Sequence, residues 1–359
     1  MSRALAARYY TDPGVFAAEL NTVFARSWVL VGHESQVARH GQVLTAAVGD
    51  ESVFVVNNEG ELGAYYNVCQ HRGHELFPPQ QTGGDELSVP GLVTCPYHAW
   101  VYSLDGRLAN ARSRDVGEIR LRAVRVERLA GFLYVNLDDD APRLAEAAPG
   151  VESELLANAP QAPSRVLSWR NTHLIAANWK IAVENYNECF HCANVHRSFT
   201  AGVVDAASYR IRCDGDVIRH AAKGAPPEQS GYTRFDEGDD YVAYFVWPAS
   251  AIQCYPGQVV NTFRWVPLEV DRTLLVREFW LDRAEPTEAQ HEVIDLDWQT
   301  TATEDFGLVE SVQRGLRSRG YRPGPLACEP SGIGTVHSED SVRHLGGLLR
   351  DALGERRQP

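Results

Sequence analysis

Lysine is nearly absent from this chain: Lys180 and Lys223 are the only two, and arginine supplies the rest of the Lys and Arg total of 34. We read that as coding bias and draw no function from it. Basic charge is short overall, because 47 Asp and Glu leave a net charge of -13. Phosphate binding needs clustered cations, and no segment concentrates them, so a general nucleic-acid role is excluded. An acidic surface suits cationic substrates or a basic redox partner, and it serves solubility. Long apolar runs are missing too; none approaches the ~20 residues that a membrane span needs. The opening residues, MSRALAARYYTDPGVF, lack the apolar core of a secretory signal. Cysteine is sparse, with seven in the chain. The expectation is a cytoplasmic protein whose cysteines are reduced thiols or metal ligands rather than a disulfide framework.

What is present reads as a globular protein, with 44% hydrophobic and 23% charged residues. At 359 residues the chain exceeds the size of a single core and is expected to form two domains. Asp12 to Trp28 carries Val15, Phe16, Leu20, Val23 and Phe24 at helical spacing, with Thr11 and Asp12 as caps before Pro13. From about Gln42 to Asn136 the pattern changes to short alternating runs such as SVFVV, GAYYNV and GFLYVNL. Turn signals at Asn58-Glu59-Gly60, Gly83-Gly84 and Asp105-Gly106 punctuate them, which predicts a small all-β domain. The stretch Asp138 to Pro163, rich in proline and alanine, reads as a crossing between domains. Strand-like segments follow at Ser208–Arg212, Tyr241–Trp247, Val259–Val266 and Arg272–Leu281. Helical candidates lie at Trp179–Cys192 and Pro286–Arg319. An antiparallel sheet flanked by helices is the packing that this order favours, so the second domain, and the fold as a whole, is α+β. The boundaries expected are 1–40 for an N-terminal helical segment, 41–140 for the β domain and 141–359 for the larger domain.

Two short segments of the β domain pair a cysteine with a histidine, NVCQHRGHE around Cys69 and His71, and VTCPYHAW around Cys95 and His98. Two facing loops of that kind deliver one thiolate and one imidazole each, the set that a Rieske 2Fe-2S cluster needs with two thiolates on one iron and two imidazoles on the other. A structural Cys2His2 zinc site draws on the same residues, but zinc sites more often pair cysteine with cysteine and histidine with histidine. Tyr97, Trp100 and Tyr102 are placed to limit solvent access there, or to serve as ordinary hairpin aromatics. His74 fits neither loop's spacing and reads as a supporting residue.

The other domain contains NWKIAVENYNECFHCANVHRSF, with Glu188, His191 and His196 as E-x2-H-x4-H. On one helix Glu188 and His191 lie about 60° apart, but His191 and His196 about 140° apart. The helix is therefore expected to end or distort near Cys192 to Asn194, so that His196 swings in from the following turn. A carboxylate completes the two-histidine facial triad that leaves iron(II) with open positions. Asp305 in TATEDFGLVESVQRGL is the candidate, facing inward with Phe306, Leu308 and Val309; Glu304 and Glu310 compete. Cys189 and Cys192 form a C-x2-C late in a helical segment, where a redox motif is out of place, so both are expected as buried packing residues.

Taken together, CQHRGHE, CPYHAW, ENYNECFHCANVH and EDFGLVESVQRGL resemble the signatures of the Rieske ring-hydroxylating oxygenase α-subunit family, over nearly the whole chain. The resemblance implies a Rieske domain at 41–140 and, at 141–359 with the 1–40 segment, a non-haem iron catalytic domain built as a helix-grip antiparallel sheet over a long C-terminal helix. It implies a 2Fe-2S cluster on Cys69, His71, Cys95 and His98, iron(II) on His191, His196 and Asp305, and O2 as co-substrate. It also implies a homotrimer in which the cluster of one subunit faces the iron of its neighbour, with Glu188 as the bridging carboxylate. A carboxylate there hydrogen-bonds two imidazole N–H groups and links electron transfer to protonation. Most ring dioxygenases have aspartate at that position, so the glutamate is a departure.

The glutamate, ENYNECFHC and SVQRGLRSRGY resemble the branch that oxidises choline, carnitine, glycine betaine and proline betaine. A methylated ammonium offers no N–H donor and binds best over ring faces, for which Tyr186, Tyr209, Tyr244, Trp247, Phe263 and Trp265 are available. The implied activity is a mono- or dioxygenase that hydroxylates or oxidatively N-demethylates a small cationic substrate, fed by a separate NAD(P)H-dependent flavin/iron-sulfur reductase. An aromatic-acid ring hydroxylase or O-demethylase is the rival enzyme. A non-catalytic Rieske electron carrier with a ligand-binding domain is the rival of another class, and it has no use for a second metal site.

Overall fold

A computed structural model describes residues 2–78, 86–112, 115–234 and 238–355, which leaves the Gly83-Gly84 turn signal outside the described residues. The chain opens with helices α1 (Arg8–Thr11) and α2 (Pro13–Thr22). Asp12 caps α2 by accepting from the Gly14 amide, and Pro13 sits where its missing N–H would have no partner anyway. The helix stops at Thr22, short of Trp28, and a 3-10 turn over Phe24–Arg26 follows. Tyr9, Tyr10, Val23 and Phe24 are buried in one core with Trp179 and the large sheet described below.

Ten strands follow: β1 (Val29–His33), β2 (Gln42–Val48), β3 (Glu51–Asn58), β4 (Glu61–Tyr66), β5 (Glu86–Ser88), β6 (Leu92–Thr94), β7 (Val101–Ser103), β8 (Leu108–Asn110), β9 (Arg125–Leu129) and β10 (Phe132–Asn136). They form three antiparallel sheets, ordered β4-β3-β2-β5, β6-β7-β8 and β1-β10-β9. Alternation decides what each strand covers. Phe54 and Val56 of β3 face the core that holds Cys69 and Cys95, while Val53 and Val55 face a second core with Leu133 and Val135 of β10. The crossing contains short helices α3 (Leu144–Ala147) and α4 (Val151–Asn158).

The second region is one antiparallel seven-stranded sheet in the order β11-β17-β16-β15-β14-β13-β12. Its strands are β11 (Val166–Ile175), β12 (Arg210–Asp214), β13 (Val217–Lys223), β14 (Asp240–Val246), β15 (Ser250–Tyr255), β16 (Val259–Glu269) and β17 (Arg272–Leu281). β11, β13 and β15 were not legible in the sequence pattern. One face carries Tyr241, Ala243 and Phe245 of β14 with Phe263 and Trp265 of β16, and packs under the helices. The opposite face, with Val242, Tyr244, Ile252 and Trp280, buries itself against Leu30, Phe132 and Tyr134 of the β1-β10-β9 sheet and against Val151 and Leu155 of α4. A sheet with both faces covered explains why its central strands are apolar in nearly every position.

Helix α5 (Trp179–Asn187) is capped by Asn178, which accepts from the Lys180 amide, and it ends five residues before Cys192. Asn187 turns its side-chain amide back onto the Val183 carbonyl, and Glu188 is fully extended, at φ -117° and ψ 152°. The helix therefore breaks before the first functional residue rather than after His191, and short helices α6 (Cys192–Val195) and α7 (Arg197–Gly202) carry the chain onward. The long C-terminal helical stretch starts at Glu288, one residue after its N-cap Thr287, which forms a capping box with Gln290. It comprises α8 (Glu288–Asp297), a π-turn over Trp298–Ala302 and α9 (Thr303–Leu316). A last helix, α10 (Asp340–Ala352), packs Leu345 and Leu349 into the core beneath Tyr9 and Tyr10. Among the described residues, no helix is long and apolar enough to cross a membrane.

Candidate active site

The two cysteine loops of the β region share one backbone pattern. In the first, the Cys69 amide donates to the His74 carbonyl and the Gly73 amide donates back to Cys69. In the second, the Cys95 amide donates to Trp100 and the Ala99 amide donates to Cys95. The fourth residue after each cysteine takes positive φ, +73° at Gly73 and +56° at Ala99. A glycine adopts that conformation freely and an alanine only with strain, which the closed loop sustains. The loops bring like ligands together. Cys69 and Cys95 are both buried in one core, and the rings of His71 and His98 lie 4.7 Å apart nearer the surface. Two thiols at the buried end and two imidazoles at the outer end are the donor set for a cluster of two inequivalent irons.

Neighbouring aromatics divide into shields and exposed rings. Trp100 stacks on His71 at 4.6 Å, and the buried Tyr102 hydroxyl lies 3.3 Å from Cys69 Sγ and accepts from the Gln70 amide. Tyr97 lies against His98 but is 53% exposed, so it closes nothing in the single chain. His74 contributes its carbonyl to the loop closure, and its ring is turned to the Glu75 carbonyl.

The second site assembles from the turn after α5 and from α9. Nε2 of His191 and Nε2 of His196 are 3.0 Å apart, and Oδ1 of Asp305 is 3.5 Å from the first and 3.1 Å from the second. Among the described residues, these three side chains are the group that brings ligand atoms together at metal-binding distances. The other ring nitrogens are held from behind: His191 Nδ1 by Glu188 at 2.5 Å, and His196 Nδ1 by Glu304 at 2.9 Å. With each Nδ1–H donated to a carboxylate, both rings turn Nε2 toward one point beside a carboxylate oxygen, where a divalent cation can take the place of the Nε2 proton. Burial opposes a charge on His191, yet Asp305 and Glu188 together outweigh it and push its pKa up to about 10. Asp305 is shifted the other way: burial raises it, and the two histidines outweigh burial and hold it below the ordinary carboxylate value. The donor set thus fits a mononuclear iron with open positions.

The competing acids have separate places. Glu304 supports His196 from behind, and Glu310 accepts from the Ala176 amide. Leu308, expected to face inward, is 40% exposed, because the buried stripe of α9 runs through Val309, Gln313 and Leu316. The C-x2-C cysteines are not simple packing residues: Cys189 and Cys192 form a disulfide, contrary to the expectation of reduced thiols throughout. The tight turn, closed by the Cys192 amide on the Cys189 carbonyl, puts their α-carbons 4.9 Å apart, within bridging reach.

A cavity of about 720 Å3, open mouth included, leads to His191, His196 and Asp305. Of the six aromatics proposed for a cation cage, Tyr186, Tyr209, Phe263 and Trp265 line it. Tyr186 sits 4.9 Å from both Phe263 and Trp265. Tyr244 and Trp247 do not line it. Tyr244 is on the opposite face of β14, buried against α4 and the β-region sheet, and Trp247 lies past the strand end beside Trp179. Phe199, Tyr241, Gln253, Tyr255 and Phe306, which the sequence pattern did not mark for the cavity, line it as well. Period-two alternation with Phe263 and Trp265 across the sheet identifies Tyr241, Gln253 and Tyr255 once the register is known. No lysine or arginine is among the lining residues described. Arg277 is close behind, its guanidinium 4.2 Å from the Phe263 ring, but it is ion-paired with Asp297.

A β region with twin Cys/His loops, joined to a sheet that grips a long helix carrying a two-histidine, one-carboxylate site, defines a Rieske non-haem iron oxygenase. Residues 27–124 match the Rieske [2Fe-2S] domain, residues 157–355 match the ring hydroxylating alpha subunit catalytic domain, and the chain belongs to that oxygenase family. As such it binds a Rieske cluster and a mononuclear iron and uses O2. It is 35% identical to the carnitine monooxygenase oxygenase subunit of Escherichia coli K12, over 96% of this chain and 92% of that protein. Identity to the glycine betaine monooxygenase oxygenase subunit of Chromohalobacter salexigens is 29%, over 89% and 80%. The structure of the quaternary ammonium Rieske monooxygenase CntA with its substrate L-carnitine superposes with a TM-score of 0.84 at 30% identity, covering 98% of this chain and 96% of that one.

Proposed function

We propose that this oxygenase hydroxylates, or oxidatively N-demethylates, a small quaternary ammonium compound. The observation that carries the reading is the cavity: ring faces and phenol oxygens beside the His191–His196–Asp305 group, with no cationic side chain among the described lining residues. Such a wall attracts a methylated ammonium, which has charge but no N–H to donate. It offers an aromatic acid no cation for its carboxylate. Relatives that act on carnitine and glycine betaine support the same class.

In this reading Cys69, His71, Cys95 and His98 hold the cluster, and His191, His196 and Asp305 hold the iron. The cluster supplies electrons and the iron supplies the open positions at which O2 reacts with a C–H bond. Glu188 and Glu304 fix the two imidazoles by accepting their Nδ1 protons, and Asn185 donates to Asp305 Oδ1 at 3.4 Å. Glu188 would also carry the link between electron and proton entry from a neighbouring subunit. In a related quaternary ammonium monooxygenase electron transfer passes between subunits, and we infer the same here: a homotrimer, with His98 of one subunit facing Glu188 of the next. A separate NAD(P)H-dependent flavin/iron-sulfur reductase would reduce the cluster. The domain division proposed is 41–140 for the cluster and 141–359, joined by 1–40, for the iron.

The test is substrate-dependent NADH and O2 consumption with a purified reductase, across betaines, choline and benzoates, with product identification by mass spectrometry and formaldehyde detection. Coupled turnover of a quaternary ammonium compound is expected. Turnover of benzoates with no ammonium compound oxidised would overturn the reading.

A further inference from the structure

The cavity holds four tyrosines, Tyr186, Tyr209, Tyr241 and Tyr255, and hydrogen bonds commit the protons of two of them, Tyr209 and Tyr255. Tyr255 donates to Asp297 Oδ1 at 2.6 Å. Tyr209 joins a chain whose direction can be worked out from its fixed end. Asn187 donates its amide to the Val183 carbonyl, so its Oδ1 is the atom turned to His220 Nε2, 3.3 Å away. His220 is fully buried and uncharged, since burial pushes its pKa down to about 3. Its one proton is therefore on Nε2, and Nδ1 accepts from the Tyr209 hydroxyl at 3.0 Å. Tyr241 accepts from Gln253 Nε2 at 2.6 Å and stacks on Tyr209, the ring centroids 6.0 Å apart.

Tyr186 differs. Its hydroxyl is buried and has no hydrogen-bond partner among the described residues. It lines the cavity one residue after Asn185, the side chain that touches Asp305 and His191. A buried donor without an acceptor is costly unless a ligand supplies one. The oxygens of Tyr209 and Tyr255, their protons already donated, present lone pairs, which suit a positive group and repel a carboxylate.

We infer that Tyr186 is the specificity-determining donor for the oxygen-bearing end of the substrate: its O–H binds the carboxylate or hydroxyl arm, and the committed phenols of Tyr209 and Tyr255 face the ammonium. This rests on the quaternary ammonium reading and narrows it to substrates that carry a hydrogen-bond acceptor a short distance from the charged nitrogen.

The experiment is anaerobic titration calorimetry of the iron-loaded enzyme and its Tyr186→Phe variant with three ligands: L-carnitine, glycine betaine and tetramethylammonium, which has no acceptor. The variant should bind carnitine or glycine betaine about tenfold more weakly, the loss of one hydrogen bond to a charged group, and tetramethylammonium within about twofold of the parent. Retained tetramethylammonium binding also shows that the variant is folded. Equal weakening of all ligands, or no weakening of any, would overturn the role of Tyr186 and leave the ammonium reading in place. Failure of the parent enzyme to bind any of the three overturns that reading, and this inference with it.

Discussion

Nδ1 of His191 lies 2.5 Å from Oε1 of Glu188, across a turn that belongs to neither flanking helix. The second oxygen of the same carboxylate accepts from the Phe190 amide. Glu188 is thus held at both oxygens, and its hold on the imidazole depends on its length. Removing an orienting partner of this kind costs 10–100-fold in metal affinity or activity. Glu188→Ala should lower turnover by about that factor with the iron retained, and Glu188→Asp, one methylene short of His191, should lose most of the same activity. Iron analysis alongside steady-state rates checks both; full activity in the aspartate variant would show that the reach of the side chain is immaterial.

The two neighbouring acids on α9 should separate cleanly. Asp305→Ala removes an atom within 3.1 Å of His196 Nε2 and should abolish mononuclear iron while the cluster's visible spectrum persists. Glu304→Ala removes only the partner of His196 Nδ1, and should weaken iron binding by about 10–100-fold without abolishing it. Titration of the apo-mononuclear protein with Fe(II), read by electron paramagnetic resonance with nitric oxide, distinguishes them.

Glu184 gives a pH prediction away from the ligands. Burial raises its pKa from 4.5 to about 7, against the opposing effects of Tyr10, which donates to both oxygens, and of Lys180. The folded state binds this proton more tightly than the unfolded chain does. Its contribution is fully present below about pH 4.5 and is lost as pH rises to about 7, by roughly 3 kcal/mol at most. Glu184→Gln should flatten the fall of melting temperature across that window. An unchanged pH profile would show that Glu184 is ionised throughout.

Tyr102 should tune the cluster. Its hydroxyl is 3.3 Å from Cys69 Sγ and is anchored by the Gln70 amide. Hydrogen bonds to ligand sulfur raise the reduction potential by stabilising the electron-rich state. Tyr102→Phe should lower the potential measured by redox titration and slow turnover, with cluster content unaltered.

Much of the chemistry was legible because ligands come in short local patterns. C-x-H, C-x2-H and E-x2-H-x4-H place their residues within one loop or turn each, and the loop closures at Cys69 and Cys95 confirm how little chain is needed. The cavity walls were harder to read. Tyr241 and Tyr244 differ by three positions on one strand, so they fall on opposite faces, and only the pairing of β14 with β15 and β16 says which face is the cavity. The end of α5 was misplaced because Asn187 competes for a helix carbonyl with its own side chain, a local event that apolar periodicity does not register. Leu308 and the Cys189–Cys192 bridge were misjudged for a like reason: each depends on a turn or a phase, not on residue type.

Phase is also the meaning of the π-turn at Trp298–Ala302. Upstream of it the helix presents Asp297 to Arg277 and Tyr255; downstream it presents Asp305 to the histidines. Two rods are joined out of step by the residues between them. Shortening that joint by one residue would restore regular α-helical bonding, turn everything downstream by about 100°, and carry Asp305 away from His191 and His196. A more regular helix would then be a disarmed one, so in this oxygenase the irregular turn is where geometry yields to chemistry, and chain length there is as constrained as residue identity.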